Sequence, residues 1–201
     1  MTISADQTGR PMKLGLVGGI ASGKSTAAAF LRERGWEIVD ADKVAHEVYA
    51  PGTKTVDEIR EAFGAGVVLP DGSVDRKALG AIVFGNPEAL QRLETLVHPA
   101  TRLLIARRMD EAVTRSGRAV LELTLLHRWP EMAAKMDRVL GIRCPDEIRL
   151  QRLMTRNDLT REQAQARLDS QAPQEQILSP ASMVVDNDGT VDQMRARLEA
   201  L

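Results

Sequence analysis

Cysteine is almost missing from the chain: its 201 residues include one, Cys144, so no disulfide can form within it. Histidine is nearly as scarce. His46, His98 and His127 share no metal-ligand spacing, so no structural metal site is expected. Aromatic residues make up 3% of the chain, which leaves no evident interface hot spot and sets the expectation of a monomer. No run of about 18 apolar residues occurs, so no membrane-spanning helix is encoded. Neither sign of charge is in surplus, since 27 basic and 28 acidic residues leave a formal charge of -1. Without a basic excess or a charged tail, neither a nucleic acid nor a membrane surface is expected as a partner. Repeats and low-complexity segments are missing too. The first eleven residues, Met1 to Pro11, lack the apolar stretch of a secretory signal and read as a disordered leader, or as an upstream start ahead of a beginning near Met12. With one unpaired cysteine, they point to a cytoplasmic protein.

What remains is ordinary globular composition, 43% hydrophobic and 27% charged, enough for one core carrying smaller subdomains. Arginine outnumbers lysine, 21 to 6. A phosphate-rich ligand would favour such an excess, but codon bias is the better account of the total, so only the positions of the arginines carry weight.

From Met12 an apolar run, Lys13 to Val17, leads into Gly18-Gly-Ile-Ala-Ser-Gly23 and then a helical segment from Lys24 to Arg34 that ends at Gly35. A second strand, Trp36 to Val39, ends in Asp40-Ala-Asp42, and His46 to Tyr49 read as helix until Pro51-Gly52. This is a β-α-β unit. Between about residues 45 and 116 the pattern becomes short helices punctuated by proline and glycine, with Arg76 to Phe84 and Glu88 to Val97 at helical spacing. Strand-like runs return at Ala119 to Leu123, Arg138 to Cys144 and Met183 to Val185, with an arginine-rich helical pair over 147–170 between the last two. Alternating strands and helices imply an α/β fold with a mainly parallel sheet covered on both faces.

Residues 18–25 match G-x-x-x-x-G-K-[ST] between a predicted strand and a predicted helix, the context that this motif's physics requires. Glycines let backbone amides turn inward around phosphate oxygens, while the following helix presents its positive end to the same anion. Lys24 then reaches the β- and γ-phosphates, and Ser25 ligates Mg²⁺. No N-K-x-D or L-S-G-G-Q signature is present, which disfavours a GTPase or a transporter ATPase, and the chain's size favours a small-molecule kinase. A phosphoryl acceptor needs a carboxylate to take its proton or orient its hydroxyl. Asp40 and Asp42 follow the second strand, where either serves as base, as outer Mg²⁺ partner, or merely as cap of the next helix. Arg149, Arg152 and Arg156 recur at helical spacing, either closing over a triphosphate or forming a solvated face.

Together these residues resemble the dephospho-CoA kinase family from about Met12 to the C-terminus. Leu16-Val-Gly-Gly-Ile-Ala-Ser-Gly-Lys-Ser-Thr26 resembles its phosphate loop, Val39-Asp-Ala-Asp42 the segment after its second strand, and Leu93-Glu-Thr-Leu-Val-His-Pro99 its L-E-x-x-x-H-P junction. Arg152-Leu-Met-Thr-Arg156 is similar to its lid arginines, and Val185-Asp-Asn-Asp-Gly189 to its late I-D-N-x-G segment. The resemblance implies a three-layer P-loop NTPase core over residues 12–44, 117–146 and 172–201, a helical acceptor-binding insertion over 45–116, and a small helical lid over 147–171. It implies transfer of the ATP γ-phosphoryl to the 3′-hydroxyl of dephospho-CoA, with ATP and Mg²⁺ as cofactors. On that basis Asp42 becomes the candidate base, with Lys24 and Arg152 beside it as catalytic residues. Gly19, Ile20, Ala21, Ser22, Gly23, Lys24, Ser25 and Thr26 become the phosphate contacts, Arg152 and Arg156 lid contacts to ATP, and Asn187 a residue near adenine. His98 and Arg102 fall where the insertion meets the acceptor, although His98 before Pro99 is equally a packed junction histidine. Ser25 is the candidate metal ligand, with Asp40 as a further one.

The sequence also departs from this family. A P-L-L-F-E-like motif is replaced by Thr124-Leu-Leu-His-Arg128, reversing a charge expected near the acceptor. Ile177 stands where a lysine is usual, and Arg149 where a glutamine is frequent. ATP binding is therefore expected to survive more surely than acceptor specificity. Two other readings stay open: a kinase for another small metabolite, and an ATP-binding regulator without catalysis.

Overall fold

The computed structural model describes residues 10–201, and of the leader expected over 1–11 only Arg10 and Pro11 fall within them. The chain divides into two compact units, one built from the chain up to Val39 together with Met109–Leu201, the other from Asp40–Arg108.

The first unit is built on a five-stranded sheet. Its strands are β1 (Met12–Val17), β2 (Glu37–Asp40), β3 (Arg118–Glu122), β4 (Arg138–Arg143) and β5 (Met183–Asp186). They lie in the order β2-β3-β1-β4-β5, and β1 pairs in parallel with both β3 and β4, as β4 does with β5. Strands buried on both faces read as continuous apolar runs, and here Leu14, Leu16, Val120, Leu140 and Ile142 are fully enclosed. On one face they pack with Ala27, Phe30 and Leu31 of α1 (Lys24–Glu33) and Met194 and Leu198 of α10 (Val191–Glu199). With β1 central, the chain leaves its carboxyl end toward β2 on one side while β4 lies on the other. That is the switch point at which sheets of this kind bind ligands.

After β4 come α7 (Asp146–Asn157) and α8 (Arg161–Asp169), the helical pair expected from the sequence. Asp158 closes α7 in the left-handed conformation, and Thr160 with Gln163 forms a capping box that starts α8. Leu150, Leu153, Ala164 and Leu168 join the two helices in a small core of their own.

The second unit contains α2 (Ala41–Val48), α3 (Lys54–Phe63), α4 (Arg76–Val83) and the first part of α5 (Pro87–Ser116), around a core of Val56, Ile59, Val67, Val74 and Leu79. Here the structure corrects the expectation of short helices broken at each proline. α5 runs as one 30-residue helix straight through Pro99. Pro99 removes one backbone donor and crowds the preceding turn, at a cost of about 3 kcal/mol. Burial on both sides of it offsets that cost, with Val97 packed in the unit's core before it and Thr101 and Ile105 buried after it. Among the described residues no helix is long and apolar enough to cross a membrane.

Candidate active site

The glycine loop leaves β1 at Val17 and returns to regular structure at Lys24, the first residue of α1. Gly23, with φ at +103°, caps α1 without a side chain, and no acidic residue lies in the first turn. A side chain at Gly23 is also ruled out by space, because a Cβ there would lie 2.1 Å from Asn187 Nδ2. The positive end of α1 is thus left for an external anion. Ala21 adopts φ of +58°, a costly conformation for a residue with a Cβ and one that persists only when its surroundings hold it. Ser22 is fully buried, and its Oγ has no hydrogen-bond partner. Ser25 is exposed at the helix start, with Lys24 and Thr26 half-buried beside it.

Asn187, 4% exposed, sits just beyond β5 and donates from Nδ2 to Ser22 O at 2.7 Å. Its Oδ1 accepts from Arg152 Nη2 at 3.3 Å. Arg152 in turn donates from Nη1 to Ala21 O at 3.3 Å and lies 3.4 Å from Cys144 Sγ. One residue of α7 and one from the end of β5 are therefore bonded to the loop's backbone. With Arg156, Ser25 and Thr26 they line a cavity of about 520 Å³. The segment carrying Asn187 is braced on both sides. Arg143 holds the Asp186 carboxylate with two bonds of 2.5 and 2.9 Å, and Arg197 bonds Asp186 O and Asp188 Oδ1. The Arg143 bonds are the main reason that the Asp186 carboxyl titrates below its usual range. Burial pushes the Cys144 thiol up, against the pull of Arg152 and Arg149, so it stays protonated at neutral pH.

The three arginines at helical spacing on α7 are thus not equivalent. Arg156 is exposed at the cavity, Arg152 is half-buried against the loop, and Arg149 is 4% exposed. From the sequence Arg149 is one of three arginines sharing a helix face and a departure from the family, with no link to Gln171; in the structure both bond the backbone of Ile20. The available signal was the shared helix face, which puts Arg149 one turn from Arg152.

In the second unit, Asp40 Oδ1 accepts the N–H groups of Asp42 and Lys43 at 3.1 and 3.2 Å, so it caps α2. Asp42 stands exposed in the first turn. His98, half-buried, borders a separate pocket of about 300 Å³ walled by Tyr49, Ile59, Leu79, Val83 and Leu93, and Arg102 lies one turn further along α5. Another group that sequence reasoning did not foresee lies here: Arg76 Nη1 is 3.2 Å from His46 Nε2, with the guanidinium over the Tyr49 ring.

The departures at Thr124–Arg128 and Ile177 meet in space. The former is a 3-10 turn after β3 with Leu126 buried, and α9 (Gln174–Leu178), carrying Ile177 at 1% exposure, packs against it.

The model of the dephospho-CoA kinase family matches residues 12–193. A curated dephospho-CoA kinase of Geobacillus kaustophilus is 42% identical over 193 residues, covering 94% of each chain. Among solved structures, the protein TT1252 of Thermus thermophilus superposes with a TM-score of 0.77 at 32% identity, over 95% of this chain and 96% of that one. A dephospho-CoA kinase from Campylobacter jejuni superposes with a TM-score of 0.64 at 29% identity, over 92% and 93%.

Proposed function

The chain belongs to the dephospho-CoA kinase family, and from that membership we propose how its own residues divide the work of carrying the ATP γ-phosphoryl to the 3′-hydroxyl of dephospho-CoA. The products are CoA and ADP, in the last step of coenzyme A synthesis. The observation that carries the assignment of roles is the glycine loop: it precedes an uncapped α1 whose positive end is free for phosphate, and Arg152 and Asn187 are bonded to its backbone.

Phosphoryl transfer passes through a loose transition state with charge spread over the phosphoryl oxygens, so the protein's task is alignment and neutralisation. The amides of Gly19 to Thr26 cradle the phosphates, and Lys24 follows the charge onto the leaving oxygen. Arg152 and Arg156 neutralise the transferred group. The bond from the 3′-oxygen to phosphorus forms as the bond to the β-phosphate oxygen breaks, and Asp42 takes the hydroxyl proton. Asn187 is assigned to the adenine side, and His98 and Arg102 to the acceptor. Residues 147–171 act as a lid that excludes water and suppresses hydrolysis.

Mg²⁺ fits the donor set as a cation that arrives with the nucleotide. It takes oxygen ligands, keeps several waters and commonly binds through one or two protein oxygens plus substrate phosphates. Among the described residues no group of three potential ligand side chains forms a cage, while the Ser25 hydroxyl is exposed at the start of α1. Bound there, Mg²⁺ supplies charge neutralisation at the β- and γ-phosphates. Asp40 is engaged on Oδ1 by the cap and approached on Oδ2 by Lys43 at 3.5 Å, which favours Ser25 as the metal's protein ligand. We take the enzyme to act in the cytoplasm as a monomer.

The test is coupled ADP release with ATP, Mg²⁺ and dephospho-CoA. Acceptor-dependent turnover is expected in the natural chain and should vanish in Lys24→Ala. Turnover independent of dephospho-CoA would overturn the reading.

A further inference from the structure

We propose that Arg149 is a positioning residue for the phosphate loop: together with Gln171 it grips the main chain of Ile20 by both polar groups, so that ATP meets a loop already in its working shape. The proposal rests on the kinase reading above and concerns how its nucleotide site is held.

Arg149 lies in the first half of α7, and its guanidinium points in three directions at once. Nε donates to Ile20 O at 3.0 Å, Nη1 to Asp146 Oδ1 at 2.8 Å, and Nη2 approaches Gln171 Oε1 at 3.4 Å. Gln171 completes the grip, because the same Oε1 accepts the Ile20 N–H at 2.7 Å. The carbonyl and the amide of one loop residue are therefore held from the two ends of the helical pair α7–α8, by residue 149 in the first turn of α7 and residue 171 just after α8. The side chains of Ile20 and Ala21 pack into that pair's core, so the loop is held on its apolar side as well.

Two features of the loop need such a hold. Ala21 keeps its left-handed backbone only if its neighbours over-determine it. Gly19 leaves the room in which the guanidinium sits, since a Cβ there would come within 2.4 Å of Nη2. Arg149 does not line the cavity that Arg152 and Arg156 border, so it acts through the loop. Filling space alone does not account for an arginine here. Its side chain is 5% exposed while its one carboxylate partner, Asp146, is 71% exposed, so burying the charge is costly and an apolar residue would fill the site at less cost. A planar fork with donors on three sides is what the arrangement uses, and lysine cannot supply it.

The experiment uses the full chain. Calorimetric titration with Mg²⁺ and ATP, steady-state kinetics toward both substrates, and circular-dichroism melts are run on the natural chain, Arg149→Gln, Arg149→Lys, Gln171→Ala and the Arg149→Gln/Gln171→Ala double variant. Both Arg149 variants should remain folded and bind ATP about tenfold more weakly, the effect of losing one hydrogen bond to a charged group. The KM for dephospho-CoA should stay unchanged. Gln171→Ala should weaken ATP binding in the same way, and the double variant should lose less than the two single effects combined, because both side chains hold one peptide. Should Arg149→Gln fail to fold, Gln171→Ala, which leaves the buried guanidinium its bonds to Ile20 and Asp146, decides the matter by the same split. The proposal is overturned by unchanged ATP affinity in a folded variant, by equal loss toward both substrates, or by Arg149→Lys matching the natural chain, which would make the charge alone sufficient. Calorimetry needs no acceptor. A chain that binds ATP but transfers phosphate to nothing would overturn the kinase reading, while the variants' affinities still decide the role of Arg149.

Discussion

At the scale of single residues, Asp40 and Asp42 show how two like side chains two positions apart come to different surroundings. Asp40 turns its Oδ1 onto the backbone of α2, whereas Asp42 is exposed and caps nothing. Asp42→Asn is therefore expected to melt like the natural chain yet lose about 10²–10⁴ of its turnover, the range for losing a general base. Asp40→Ala should instead lower stability by about 1 kcal/mol, as loss of a helix cap does, with a smaller effect on rate. Melting curves beside steady-state rates separate the two, and unchanged turnover in Asp42→Asn would remove it from the mechanism. The cap was legible in the sequence as one of three alternatives, because a carboxylate between a strand and a helix suits the work of base, metal partner or cap. Its choice depends on backbone angles that composition does not encode. Arg149 was less legible still: its spacing placed it beside Arg152, but burial of a guanidinium against a loop 129 positions away is a tertiary fact.

Among the elements, the carboxyl ends of β4 and β5 are stapled by Arg143 and Asp186, which carries Asn187 to the loop. A carboxyl that titrates lower folded than unfolded contributes stability fully present above its unfolded value, about 3.9, and lost as pH falls through the folded one. The gap in denaturant midpoint between the natural chain and Asp186→Asn should therefore be constant near neutrality and close as the solution is acidified below that value. A gap of the same size at both ends of this range would show that the staple contributes nothing through its charge. Strands and the glycine loop were readable because apolar runs bounded by glycine have one local solution. Helix α5 was not. Pro99 and the residues around it signal a break locally, and the burial of Thr101 and Ile105 that overrides that signal is formed only by packing.

For the molecule as a whole, the order β2-β3-β1-β4-β5 puts the phosphate loop at the central strand; the alternation visible in the sequence implied parallel strands, while their order is set by how the sheet packs. The two segments in which the sequence departs from the expected family pattern, Thr124–Arg128 and the Ile177 region, pack on one another with Leu126 and Ile177 buried, so the two departures share one packed contact. The measurement that tests the account most directly is identification of the product. Dephospho-CoA incubated with the enzyme, ATP and Mg²⁺ should give a single phosphorylated product whose new phosphorus signal couples to the ribose 3′ position, in step with ADP. Phosphate found at another hydroxyl, or ADP formed without any phosphorylated CoA precursor, would contradict it.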